Sequence, residues 1–162
     1  MTISVGDRLP DATFLKVGEN GTEPVDLHAH IAGKKVIIFG LPGAFTRTCS
    51  AAHVPSFIRT AGQFREKGIA HIICFAHNDP FVMQAWAEHT GGDAAGIEFL
   101  ADADASFTKA LGLAFTAPPG GFYDRTVRHA MYVEDGVVKV LHLEEERGVC
   151  DMTGGEKMLE AI

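Results

Sequence analysis

Apolar residues in this chain alternate between short unbroken runs and stretches of helical period. KKVIIFG (34–40) and IAHIICFA (69–76) are continuous and rich in β-branched residues, the pattern of strands buried on both faces. IEFLAD (97–102) predicts a third strand. In SAAHVPSFIRTAGQFREKG (50–68), Val54, Phe57, Ile58, Ala61 and Phe64 recur at helical spacing and Gly68 stands where a helix would stop. Pro55 inside that pattern predicts a kink. NDPFVMQAWAEHTGG (78–92) offers Asp79 as a cap, Pro80 at the first helical position and a glycine pair as terminator.

DASFTKALGL (104–113) predicts a short helix, and TGGEKMLEAI (153–162) a last one. Two short strands, ATFLKV and EPVDL, flank GENG as an N-terminal ribbon. The clearest hairpin is RHAMYVEDGVVKVLHLE (128–144), two β-rich runs about Asp135-Gly136. Alternating strands and helices followed by an antiparallel edge predict an α/β fold with a central mixed sheet flanked by helices. That order is the thioredoxin-like one, with the N-terminal β-ribbon added, and we expect residues 1–162 to form a single domain.

Composition adds constraints. A chain of 162 residues that is 46% hydrophobic and 22% charged can build a full core without disulfides. Its formal charge of −7 argues against nucleic acid as a partner. No apolar run is long enough for a membrane span, and the start, MTISVGDRLPDATF, lacks a secretory pattern. Three cysteines, an odd number, do not suggest a disulfide framework; they suit a reducing compartment, so a cytoplasmic location is expected.

PGAFTRTC (42–49) follows the first buried strand, where ligand-facing groups of a βαβ unit gather. Cys49 should lie at the first helical turn, where unpaired N–H groups and the helix dipole favour a thiolate. Thr46 lies three residues earlier, within reach of a thiolate or bound oxygen, and Pro42 stiffens the loop. A buried, inert thiol is the opposing reading. With no CxxC anywhere, a lone attacking thiolate fits better than a dithiol exchanger.

PGAFTRTC resembles the Pro-x-x-x-Thr-x-x-Cys signature of the peroxiredoxins, and its continuation CSAAHVP looks like their fifth, or type II, branch. The likeness runs on through CFAHNDPFVMQAW, FLAD, ALGL, RHAMYVEDGVVK and EKMLEAI. It implies a thiol-dependent peroxidase that reduces hydrogen peroxide and small organic hydroperoxides through a sulfenic acid on Cys49. Thr46 would hold the sulfur and the peroxide, Pro42 would cover the pocket, and Arg128 would stabilise thiolate and oxygens, with Arg125 and Arg47 as rivals for that role. Gly43, Phe45 and Phe122 would complete the substrate pocket. Many relatives of this branch carry proline where this chain has Arg47, a cation expected to modulate the choice of reductant.

For recycling, the resemblance implies glutathione with glutaredoxin, or thioredoxin, as external reductant, and no metal or organic cofactor. Cys74 and Cys150 are both candidate resolving cysteines, Cys74 slightly favoured, with both as bystanders the remaining option. A homodimer is expected, with Phe81, Val82, Ala85 and Trp86 either contributing to its face or buried in the core. A redox sensor or chaperone-like binding protein using the same cysteine is the alternative function. Cys49 with His53 as a hydrolase pair is a further, less favoured reading. His28 and His30 form HAH, but no third ligand is evident in the sequence, so no metal site is expected.

Overall fold

A computed structural model describes residues 2–162, less the side chain of Cys49. The ribbon β1 (Thr13–Gly18) and β2 (Gly21–Asp26) is followed by a short helix α1 (Leu27–Ile31). The βαβ run is β3 (Lys35–Gly40), α2 (Val54–Glu66), β4 (His71–Ala76), α3 (Pro80–Thr90), β5 (Ile97–Ala101) and α4 (Ser106–Ala110). A small hairpin, β6 (Ala114–Ala117) and β7 (Phe122–Thr126), precedes the long hairpin β8 (His129–Glu134) and β9 (Val137–Leu143), and α5 (Gly155–Ala161) comes last.

Seven strands form one sheet in the order β2-β1-β5-β4-β3-β8-β9. Its centre, β3-β4-β5, is parallel, while β8 and β1 join antiparallel. This is the mixed thioredoxin-like sheet with a terminal ribbon that the pattern predicts. Period-2 alternation explains why the central strands read as unbroken apolar runs. On β3, Ile37 and Phe39 enter a core shared with Val54, Phe57, Phe64 and Trp86 of α2 and α3. Val36 and Ile38 face the opposite core, with Phe14, Leu27, Ile31 and Phe107.

Local chemistry sets the element ends. The Asp79 carboxylate accepts from the Val82 amide at 2.9 Å with Pro80 in the first turn, and Gly91 closes α3 at φ 79°. The β8–β9 turn puts Asp135 and Gly136 both at positive φ, 46° and 80°, the geometry for which Asp-Gly is suited. Pro55 produces no simple kink. The chain instead widens into a π-helical turn over Cys49–His53, which runs directly into α2. Proline has no N–H for the preceding turn, and an inserted π turn absorbs that loss.

Candidate functional site

The loop 41–48 leaves the carboxyl end of β3 and delivers the chain into the π turn that begins at Cys49. Three side chains from other elements fix its shape. Asn78, just past β4, accepts from the Ala44 amide at 2.9 Å. Arg125 on β7 donates to the Pro42 carbonyl at 2.9 Å. Trp86 on α3 donates its indole N–H to Ser50 at 2.9 Å. Within the loop, the Thr46 hydroxyl donates to the Gly43 carbonyl at 2.8 Å. A Cβ on Gly43 would lie 2.3 Å from the Arg125 guanidinium, so a larger residue here would displace that side chain from the Pro42 carbonyl.

Arg128 stands between β7 and β8 and is only 5% exposed. Its Nη1 lies 3.0 Å from Nδ1 of His53, whose Nε2 is 3.1 Å from the Thr153 carbonyl. A carbonyl only accepts, so Nε2 carries the ring proton and Nδ1 offers its lone pair to the guanidinium. Burial, then the charge of Arg128, keeps the His53 pKa well below the ordinary histidine range. Both ring nitrogens are thereby engaged and the ring packs against Phe39 and Phe57, so His53 holds Arg128 rather than serving as a base for Cys49.

Two adjoining cavities of about 240 and 410 Å³ share Pro42, Phe115, Arg128, Arg147 and Gly148. Thr46, Arg47 and Phe122 line the larger one. Phe115 and Phe122 meet edge to face at 6.1 Å, and the Arg147 guanidinium covers Phe115 at 5.3 Å. Of the residues expected from the sequence, Pro42, Thr46, Arg128 and Phe122 come together. The Cys49 thiol lies outside the described residues. Phe45, at φ 62° and 53% exposed, packs against the His89 ring, and Gly43 lies beneath Arg125; neither lines these two cavities.

Sequence reasoning missed Phe115, Arg147, Asn78 and the brace made by Arg125. The only signal available was position, since Asn78 follows β4 on the same sheet edge as the loop. The two other cysteines differ in access. Cys74 is fully buried in the core on β4. Cys150 is half-buried in a cleft with Ala51 and Ala52 of the π turn. Its loop is tied down by the buried Glu144 carboxylate, which accepts from the Met152 amide and the Thr153 hydroxyl, and by Thr48 donating to the Gly148 carbonyl at 2.8 Å.

Beside Arg128, the fully buried His129 donates Nδ1–H to the Val127 carbonyl at 2.8 Å, while its Nε2 has no hydrogen-bond partner among the described residues. Burial lowers its pKa from 6.5 to about 4, the Val127 bond offsetting this only in part. The folded state therefore resists a proton that the unfolded chain accepts. This contribution to stability is complete above pH 6.5 and lost as pH falls to about 4. It amounts to about 3 kcal/mol, and His53 acts in the same direction. Urea midpoints should fall steeply over that window, and His129→Gln should flatten the slope. An unchanged slope in the variant would rule out this assignment.

The redoxin family model matches residues 4–159. Over 99% of its length the chain is 44% identical to chloroplastic peroxiredoxin-2E of Arabidopsis thaliana, covering 70% of that protein. It is 42% identical to peroxiredoxin-2D of the same plant, covering 99% of this chain and 98% of that one. Reduced Prx3 of Vibrio vulnificus in complex with H2O2 matches with a TM-score of 0.91 and 41% identity over 99% of each chain.

Proposed function

The chain belongs to the peroxiredoxin family and is a peroxidase oxidoreductase, and from that premise we propose a type II mechanism centred on Cys49. The Cys49 thiolate attacks one peroxide oxygen and the O–O bond breaks. The departing oxygen takes a proton and leaves as water or an alcohol, while Cys49 becomes a sulfenic acid. A thiol then condenses with that sulfenic acid, releasing water and forming a disulfide, and a second thiol reduces the disulfide.

The observation that carries this reading is the buried Arg128 guanidinium, fixed by His53 and opening into the cavity that Pro42 and Thr46 line. Negative charge moves from sulfur to the departing oxygen during attack. A preorganised guanidinium stabilises that charge without having to reorganise. Thr46, held by the Gly43 carbonyl, keeps its hydroxyl oxygen available to accept or relay a hydrogen bond to the peroxide. The Phe115 and Phe122 wall suits the alkyl part of a small organic hydroperoxide.

For the recycling thiol, a glutathione-dependent route is favoured by Arg47 and Arg147, two exposed cations that line the mouth and suit an anionic tripeptide. Cys150 is the better placed internal candidate, because it lies beside Ala51 and Ala52 while Cys74 is sealed in the core. Using it requires release of the Glu144 ties on its loop. A homodimer is proposed through the exposed Phe81 and Ala85 with half-buried Val82; Trp86 belongs to the core.

Steady-state peroxide consumption with glutathione and glutaredoxin, and separately with thioredoxin, tests the function. Sustained turnover with the glutathione system is expected, with a mixed glutathione adduct on Cys49 in non-reducing peptide maps. A 49–150 bond with thioredoxin-driven turnover would replace that route by the internal one. A single round of oxidation with every reductant would favour the redox sensor.

A further inference from the structure

At the end of the sheet opposite the Cys49 loop, three elements aim metal-binding atoms at one point. His30 comes from α1, His71 opens β4, and Glu98 is the second residue of β5. His30 Nε2 lies 2.7 Å from Glu98 Oε1, and His71 Nδ1 lies 2.6 Å from Glu98 Oε2. One ligand atom from each residue falls within 4.8 Å of the other two. The imidazoles stack at 4.2 Å with an interplanar angle of 31°.

We propose that His30, His71 and Glu98 bind a divalent transition ion of the zinc type, with solvent completing the coordination. Two neutral imidazoles and one carboxylate are ligands suited to Zn²⁺, and three protein ligands leave one position open. The side chains are 26%, 21% and 32% exposed, sheltered yet reachable from solvent. A cleft beside His30 and Glu98 also carries Glu23 and Asp26, whose carboxylates attract a cation, against the opposing charges of Lys16 in that cleft and Lys34 beside His71. The nitrogens that now donate to Glu98 must give up their protons on binding, so that each ring presents a lone pair to the ion and carries its proton on the other nitrogen. Lys34, now 3.4 Å from His71 Nε2, is exposed and must swing aside as that nitrogen takes the proton. The HAH motif alone gave no third ligand; here His28 turns to Asp11 at 3.1 Å, and the fold supplies His71 and Glu98 instead.

Equilibrium dialysis of the full, reduced chain against Zn²⁺ tests the site. One ion per chain is expected, retained in a Cys49→Ser/Cys150→Ser variant and accompanied by a rise in Tm. Glu98→Gln and His71→Asn should each weaken binding by about tenfold or more while peroxide turnover is kept, which also controls for folding. His30→Ala supplies an independent ligand deletion. Absence of binding, binding that survives the ligand substitutions, or binding lost only with the cysteines would overturn the proposal and leave a hydrogen-bonded staple between α1, β4 and β5.

Discussion

Cys49→Ser is expected to reduce peroxide turnover to the uncatalysed background, while Cys74→Ser retains it and Cys150→Ser retains it with glutathione as reductant. The reason lies in the nucleophile. A thiol ionises far more readily than a hydroxyl and its thiolate is the attacking nucleophile, whereas a serine hydroxyl in the same place stays protonated and attacks peroxide poorly. Cys49 is the first residue of the π turn, and the Ser50 amide, next in sequence, is already bonded to the Thr46 carbonyl at 3.0 Å. That turn is fixed by Trp86 through Ser50 and by Asn78 through Ala44, so the substitution removes a reactive atom while the loop keeps its supports. Following peroxide directly, with glutathione and glutaredoxin in excess, measures the loss. Turnover by Cys49→Ser at the rate of the unsubstituted chain would remove the sulfenic acid mechanism altogether.

Much of the fold was legible because local and global signals agree. After their first residues, Lys35 and His71, β3 and β4 are buried and apolar throughout because both sheet faces are covered, and Asp-Gly at 135–136 takes the positive φ values its turn requires. The five-residue helix α1 was not read, since it is too short to show a period. Nor was the β6–β7 hairpin, whose strands carry no clear alternation around Pro118–Gly120.

Within the site, the residues of one contiguous motif could be named together, but which way each turns could not. Phe45, at φ 62°, packs on the His89 ring, and Phe115 reaches the cavity wall from a hairpin the sequence did not reveal. His30 and His71 stand 68 and 27 residues from Glu98, so only parallel pairing of β4 with β5 and the packing of α1 bring them together.

Arg128→Ala should lower kcat/KM for peroxide by about 10²–10³, the usual cost of removing a preorganised donor from developing negative charge. Arg128→Lys should recover only part of it, because a point charge does not reproduce the planar fork that meets His53 and the cavity together. The same geometry makes His53 a positioning residue. Its Nδ1 orients the guanidinium, while its Nε2–H anchors the ring to Thr153 on the Cys150 loop. His53→Leu should therefore slow the reaction less than Arg128→Ala, and His53→Gln, which keeps an acceptor, should restore part of the rate. In the double variant, Arg128→Ala with His53→Leu should be no slower than Arg128→Ala alone, since the histidine acts only through the arginine. Fully additive losses would mean that His53 contributes to the reaction independently, and an undiminished rate in Arg128→Ala would move the stabilising charge to Arg47 or Arg147.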